Sequence, residues 1–419
     1  EKQTLSFDIS AGRIGIASVS VSLTGNGAKF SRSFETVVRP AWGDRRSTRF
    51  ESLSNPSSID LSVQSAGFFP DTVRSRVSLS NRAPIPVAEA AKELFDYPYG
   101  CIEQTSSRLL PFVTLDDAAL VKLGMSPIDP QRRKDSVNAG LGRLASMQAQ
   151  NGHFNYWPGT DYVEVLFTPL VAELLLDAQA QGYELPPQTL QKSLERLKTD
   201  LLSGGEVNYD RVFLDNADHL RFAYNAHAAF VLSKVKQAPL GSLRTLYDGA
   251  NSRSLTPLPL VRIGLALKAA GDQKRGDEAL AQAFGARWIY PKDRWLADYG
   301  SQLRDQALAL ALALEADALP KGQEAKLLDI AYLAREKEYF STQERATIVR
   351  LAKSMARGPN QLEGTLIVGA NREPFATSGL FARDLSMADL TAGARVELAP
   401  SFISQLCAVQ HAAAPQRKR

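Results

Sequence analysis

The chain has 419 residues, too many for one ordinary core and enough for two or more units. Its 49 Lys and Arg against 45 Asp and Glu leave a formal charge of +4, spread without a basic stripe interleaved with aromatics, which argues against a nucleic-acid partner. Only two cysteines occur, Cys101 and Cys407, too few to staple a disulfide fold, and no cofactor or metal is expected.

From Thr4 to Val38 apolar and polar residues alternate, as in Ile14, Ile16, Val19, Val21 and Leu23, with a turn signal at Gly25-Asn26-Gly27. The alternation continues through 59–63 and Val73 to Leu79, divided by a polar loop near Asn55-Pro56 and a turn at Phe69-Pro70-Asp71. Residues 1–85 therefore read as β-sandwich material.

At Pro86 the period changes. Val87, Ala90, Ala91, Leu94 and Phe95 recur at helical spacing, and from 86 to 357 about a dozen amphipathic helices are separated by breakers such as Pro130, Gly182, Pro257 and Pro320. Leu141, Leu144 and Met147, and then Leu170, Leu174 and Leu175, mark apolar faces. The longest apolar run, Ala307 to Leu314, is far below the ~20 residues that span a bilayer and reads as an inner helix. About six helical hairpins closed on themselves would form an α/α toroid, with an open solenoid as the alternative. After Gly358-Pro359 alternation returns, at 364–369 and 395–398, so residues 358–419 read as a second β-sandwich part with a flexible tail holding Cys407 and His411. The basic end, Arg417 to Arg419, reads as a frayed tail. The class is α+β, a helical unit inserted into a β unit.

The chemistry concentrates in Tyr97-Pro98-Tyr99-Gly100-Cys101-Ile102-Glu103-Gln104-Thr105. Cys101 and Gln104 are three residues apart, so on a turn entering a helix their side chains share a face. A thiol attacking the Gln carboxamide, with loss of ammonia, would close a thioester. Gly100 would free the backbone for the tight ring, and Pro98 disfavours helix at Tyr97. Such an acylating bond survives only if water is excluded, and Tyr97 and Tyr99, with Tyr156 and Trp157 from the next hairpin, are candidate covers. A bare C-x-x-Q would instead be read as a small buried Cys and a helix-cap Gln.

The run from Tyr97 to Pro111 resembles the thioester signature of the alpha-2-macroglobulin and complement family, and its Tyr-Pro-Tyr-Gly lead resembles the bacterial branch. That resemblance implies a thioester domain, an α/α toroid, inserted into a CUB β-sandwich. It also implies a single-use covalent protease inhibitor rather than an enzyme, with Cys101 supplying the thiolate, Gln104 the acyl group and Glu103 the signature acid between them. Bait cleavage in the complete protein would expose the bond to lysine amines of the attacking protease. It further implies a monomer in the periplasm of a Gram-negative cell, an inner-membrane lipoprotein anchored through sequence outside this chain, which opens at Glu1 without an export leader.

Three rivals remain. A cysteine hydrolase would need one of His153, His219, His227 or His411 beside Cys101; all four are left unassigned and acyl transfer is expected to proceed without them. A terpene-cyclase-like toroid matches Gln150-Asn151-Gly152-His153-Phe154 with Trp157 but lacks the acidic run, Asp116-Asp117 being followed by alanines. An inert helical scaffold, or a Cys101 to Cys407 disulfide, completes the set.

Overall fold

The computed structural model describes residues 3–39, 44–53, 58–61, 72–80, 85–123, 125–203, 217–249, 254–288, 290, 298–323, 326–356, 361–378, 380–398 and 406–415. The loop at Asn55-Pro56, the turn at Phe69-Pro70-Asp71, the break at Gly358-Pro359 and the Arg417 to Arg419 end lie outside them. The chain divides into two compact units, Glu1–Ser80 with Gln361–Arg419, and Asn81–Asn360.

The first unit opens with a hairpin, β1 (Gly15–Gly25) and β2 (Ala28–Val38), in register from Gly15 against Val38 to Gly25 against Ala28. Its turn residues Asn26 and Gly27 both hold positive φ, 46° and 81°, the pair that matches strand twist in a two-residue turn. One face carries Val19, Val21, Leu23, Phe30 and Phe34; the other carries serines, with Ser20 Oγ 2.6 Å from Ser33 Oγ. Residues 3–14 form no strand although their alternation predicted one: alternation chooses a face but cannot supply a partner.

Two four-stranded antiparallel sheets follow. One orders β3 (Asp44–Leu53), β10 (Leu406–Pro415), β5 (Arg74–Ser80) and β8 (Leu380–Leu385); the other orders β4 (Ile59–Asp60), β9 (Ala394–Leu398), β6 (Gln361–Val368) and β7 (Asn371–Ser378). Val77, Leu79 and Leu385 of the first sheet share one core with Ile59, Leu362, Leu366, Val396 and Leu398 of the second. The expected flexible tail is corrected here: Cys407 and His411 sit on β10, a strand hydrogen-bonded on both edges, to β3 and to β5. The alanine-rich run 412–414 has little strand propensity, and two neighbouring ladders make it a strand regardless. A short helix, α14 (Met387–Thr391), capped by Ser386, also lies in this unit.

The second unit is helical. In chain order its described helices are α1 (Val87–Phe95), α2 (Ile102–Thr114), α3 (Asp117–Lys122), α4 (Pro130–Ser146), α5 (Phe167–Ala180), α6 (Thr189–Leu202), α7 (Ala217–Lys234), α8 (Leu240–Asp248), α9 (Pro257–Ala269), α10 (Gln273–Gly285), α11 (Gln302–Glu315), α12 (Lys326–Arg335) and α13 (Thr342–Met355). Asp116, Asp129, Asp272, Ser301 and Ser341 cap α3, α4, α10, α11 and α13 with side-chain acceptors, which satisfies amides that the first turn leaves open.

Helices α7, α9 and α11 are buried almost all round, as Pro257 through Leu267 and Ala307 through Ala313 show, whereas α4 and α6 bury one stripe. The packing order is cyclic: α2 contacts α5, α5 contacts α7, α7 contacts α9, α9 contacts α11, α11 contacts α13, and α13 returns to α2. Helices α4, α6, α10 and α12 lie against single members or neighbouring pairs of that cycle. No described helix is long and apolar enough to cross a membrane.

Candidate functional site at the start of α2

Cys101 is the N-cap of α2, in extended backbone at φ −68° and ψ 176°, with 1% of its surface exposed. The cap is reciprocal. The Gln104 amide donates to Cys101 Sγ at 3.5 Å, and the Cys101 amide donates to Gln104 Oε1 at 3.2 Å. A capping box thus holds thiol and carboxamide on one turn, with the amide oxygen turned back over the residue that carries the sulfur. Cys101 is a free thiol in this structure.

Gly100, just ahead of the thiol, gives this turn room. Its φ is not positive; what it provides is space, because a Cβ there would come 2.9 Å from Arg143 Nε. Arg143 of α4 donates to the Gly100 carbonyl from Nε at 2.9 Å and from Nη2 at 2.6 Å, clamping the peptide just ahead of the thiol.

The loop that follows α4 closes over the same turn. Gln148 bridges to Phe154 and Asn155 to Val163, a short antiparallel fold-back, and the Ile102 amide donates to the Tyr156 carbonyl at 3.0 Å. The Tyr156 side chain packs against the core cluster that includes Ile102, the residue after the thiol. Burial pushes the thiol pKa up and Glu103 adds to this, while the Gln104 amide and Tyr156 pull the other way. Burial and then the neighbouring thiol push Tyr156 itself up to about 12. A thiol of raised pKa is a poor leaving group, so any acyl bond to it is slow to break while the site stays closed.

The remaining candidate covers separate into tiers. Tyr97 is partly buried, and its ring stands edge-on to Tyr99 at 5.8 Å; Tyr99 points outward and is 64% exposed. Trp157, 42% exposed, stands edge-on to Tyr156 at 5.8 Å. Tyr156 is therefore the candidate cover tied by its backbone to the turn that carries the sulfur, and Tyr99 and Trp157 form an outer tier.

Glu103 turns away from the thiol into the helix cycle. Its buried carboxylate accepts from Ser107 Oγ at 2.7 Å, from Thr342 Oγ1 at 2.8 Å and from Gln343 Nε2 at 2.8 Å. The first turn of α2 is thereby tied to the N-terminus of α13, where the helix dipole also favours a negative charge.

The histidines are engaged elsewhere. His153 Nδ1 lies 2.9 Å from Thr168 Oγ1, His219 Nδ1 accepts from the Leu255 amide at 3.2 Å, and His227 Nε2 lies 2.9 Å from Glu173 Oε2. The side chain of His411 lies outside the described residues. Gly152, in the Gln/Gly/Trp element, has φ 90° and lies so close to α6 that a Cβ would meet Lys192 O at 2.5 Å, a packing role. Among the described residues no group of His, Cys, Asp and Glu is arranged to hold a metal.

An alpha-2-macroglobulin from Xylella fastidiosa is 38% identical to the chain over 404 residues, which is 94% of this chain and 24% of that protein. The chain is homologous to the bacterial alpha-2-macroglobulins. An Escherichia coli alpha-2-macroglobulin is 36% identical over 294 residues, 70% of the chain and 18% of that protein, so the chain spans about a quarter or less of the length of these curated relatives. No protein-family model matches.

Among solved structures, native E. coli alpha-2-macroglobulin from domain MG7 to the C-terminus superposes with a TM-score of 0.68 at 30% identity, covering 97% of the chain and 63% of that one. Salmonella alpha-2-macroglobulin reacted with methylamine gives 0.66 at 29%, over 97% of the chain and 26% of its own. The chain thus has the mixed helical and sheet architecture of the C-terminal region of a protease-trap family.

The alpha-2-macroglobulin signature located Cys101, Gln104 and Glu103 in sequence. Arg143, Thr342 and Gln343 were missed. Thr342 and Gln343 follow Ser341 in a recognisable cap, but nothing local says which carboxylate they reach; Arg143 lies on α4 as one solvent-facing charge among several.

Proposed function

We propose that Cys101 and Gln104 close an internal thioester, and that the chain is the CUB and thioester region of a protease-trapping bacterial alpha-2-macroglobulin. The observation that carries the reading is the reciprocal cap, which holds the thiol and the carboxamide of this signature on one buried turn. Closure forms the bond from Cys101 Sγ to Gln104 Cδ, breaks the bond from Cδ to Nε2, and moves the thiol proton onto departing ammonia.

In the intact protein, cleavage of a bait elsewhere would uncover the bond. A lysine amine of the protease would take the Gln104 acyl group, and Cys101 would leave as a thiol. The chain acts once and does not turn over. The cyclic packing of α2, α5, α7, α9, α11 and α13 supports assigning an α/α toroid, residues 86–357, and the two sheets sharing a core support the CUB-like part, residues 1–85 and 358–419. Xylella and Escherichia, the sources of the relatives above, are Gram-negative genera, which supports a periplasmic location.

The second reading is that the cap is all there is. A Cys101 to Gln104 capping box stabilises α2 whether or not the bond closes, by about 0.5–2 kcal/mol. Methylamine separates the two. Protein prepared without amines should show the peptide spanning Cys101 and Gln104 lighter by one ammonia, then take up one amine at Gln104 and release one thiol. A full-mass peptide with a titratable thiol from the start would leave the inert cap. In the full-length protein, a covalent adduct with an attacking protease should disappear in Cys101→Ala.

A further inference from the structure

We propose that the Cys101 backbone amide is the oxyanion donor for acyl exchange at Gln104, and that Arg143 polarises it from the far side of the peptide joining Gly100 to Cys101. The inference rests on the thioester reading and adds to it the group that meets the charge developing on the acyl oxygen.

One peptide group carries both contacts. Its oxygen, the Gly100 carbonyl, accepts from Arg143 Nε at 2.9 Å and from Nη2 at 2.6 Å. Its N–H, on Cys101, donates at 3.2 Å to Gln104 Oε1, the oxygen on the carbon that the sulfur attacks. A cation bonded to a peptide oxygen draws electron density from the peptide nitrogen, so the N–H at the other end becomes a stronger donor. The close approach of the guanidinium depends on the missing side chain of Gly100, where a Cβ would come 2.9 Å from Arg143 Nε and 3.0 Å from Nη2.

The other half of the cap meets the second charge. The Gln104 amide donates to Cys101 Sγ at 3.5 Å from the first turn of α2, where the helix dipole favours a negative group. The Ile102 amide, next along the chain from Cys101, is held by the Tyr156 carbonyl at 3.0 Å instead. Oε1 and Sγ, the two atoms on which charge develops, therefore each face a backbone N–H already in place, beside a cysteine that is 1% exposed. Donors fixed before the reaction need no reorganisation as the charge forms.

In closure, Sγ adds to Gln104 Cδ and the carbonyl electron pair moves onto Oε1. The pair returns as the bond from Cδ to Nε2 breaks, and the thiol proton leaves on ammonia. In aminolysis the amine nitrogen adds to Cδ, the pair moves onto Oε1 again, and it returns as the bond from Cδ to Sγ breaks. The proton that the amine loses ends on the sulfur. Both directions pass through an intermediate with its negative charge on Oε1, so a donor aimed at that oxygen lowers both barriers. Arg143 touches no reacting atom; it is a positioning residue that acts through the peptide.

The test is the rate of thiol release by methylamine, expressed per thioester counted by mass, with a thermal melt for each variant. Arg143→Ala should slow release about tenfold, less than the roughly 100- to 1000-fold that follows outright loss of an oxyanion donor, because the Cys101 N–H remains. The sign separates polarisation from a simple clamp, since loosening the turn alone would open Cδ to the amine and speed release. Arg143→Lys, which keeps the charge, should recover much of the rate, and Arg143→Gln, which keeps only a neutral donor, should recover little. If Arg143→Ala forms no thioester, Arg143→Gln carries the same comparison. A second readout, independent of access, is the infrared band of the thioester carbonyl in protein carrying carbon-13 glutamine, which should move to higher wavenumber in Arg143→Ala as its hydrogen bond weakens. Release as fast as the parent or faster, or an unmoved band, would overturn the role of Arg143. A parent band no lower than that of a thioester in an aprotic solvent would overturn the Cys101 donor. A parent that neither lacks ammonia nor releases a thiol would overturn the thioester reading and this inference with it.

Discussion

The Thr342 hydroxyl lies 2.8 Å from both oxygens of the Glu103 carboxylate, joining the second residue of α2 to the first residue of α13. This contact sits where the cycle of inner helices returns to its start, two residues from the thiol. Glu103→Ala would leave the Ser107, Thr342 and Gln343 donors without their acceptor in a buried place. The expected loss is about 1–3 kcal/mol of stability for such stranded groups, measured as a lowered denaturation midpoint. An unchanged midpoint would show that water replaces the carboxylate without cost.

Gly100 and Arg143 make a second testable pair. Gly100→Ala would drive a methyl to 2.9 Å from Arg143 Nε and displace the guanidinium from the carbonyl it clamps. Both Gly100→Ala and Arg143→Ala should loosen the turn ahead of Cys101 by about 0.5–1.5 kcal/mol, since the arginine is solvent-facing. Thiol exposure to a small alkylating reagent should rise in parallel. If Gly100→Ala matches the parent in both melting temperature and alkylation rate, the clamp is incidental.

A buried ionic network ties four inner helices. Arg350 of α13 reaches Glu173 of α5 at 2.8 Å and Glu315 of α11 at 2.9 Å, while Lys234 and His227 of α7 also reach Glu173. Although burial favours the neutral acid, Arg350 and then Lys234 hold Glu173 well below the usual carboxylate range. Removing one member strands the others, so Arg350→Ala should cost about 3–5 kcal/mol. Arg350→Lys should restore only part, because one ammonium cannot match a planar fork between two carboxylates. Denaturant midpoints, with slopes checked for two-state behaviour, would measure it.

His227 gives that network a pH signature. Burial, then Arg262, drive its pKa from 6.5 down to about 3 despite the Glu173 contact. The unfolded chain takes up this proton below about 6.5 and the folded chain does not until about 3, so its contribution to stability is complete above the unfolded value and falls as pH drops between the two. Relative to His227→Gln, the parent should lose melting temperature steadily from pH 6.5 towards pH 4. A difference independent of pH across that window would mean that His227 titrates normally.

The sequence by itself determined the periodicities and the signature. The helical spacing that begins at Val87 gives α1, the apolar run around Ala307 to Leu314 gives the buried helix α11, and the asparagine-glycine turn gives the β1 to β2 hairpin, because each depends on contacts within a few residues. Cys101 and Gln104 were legible through the resemblance of the run from Tyr97 to Pro111 to a known signature; their three-residue spacing alone would have been read as a buried Cys and a helix-cap Gln. The tertiary structure decided what spacing cannot encode. Residues 406–415 are a paired strand because β3 and β5 lie on either side. Tyr156 rather than Tyr99 is held against the turn that carries the sulfur because a loop 55 positions downstream folds back onto α2. Glu103 faces Thr342, 239 residues away, because the helix cycle brings α13 back to α2. Hydrogen bonds of that range leave no period in the sequence, since their partners are chosen by how whole helices pack rather than by neighbours along the chain.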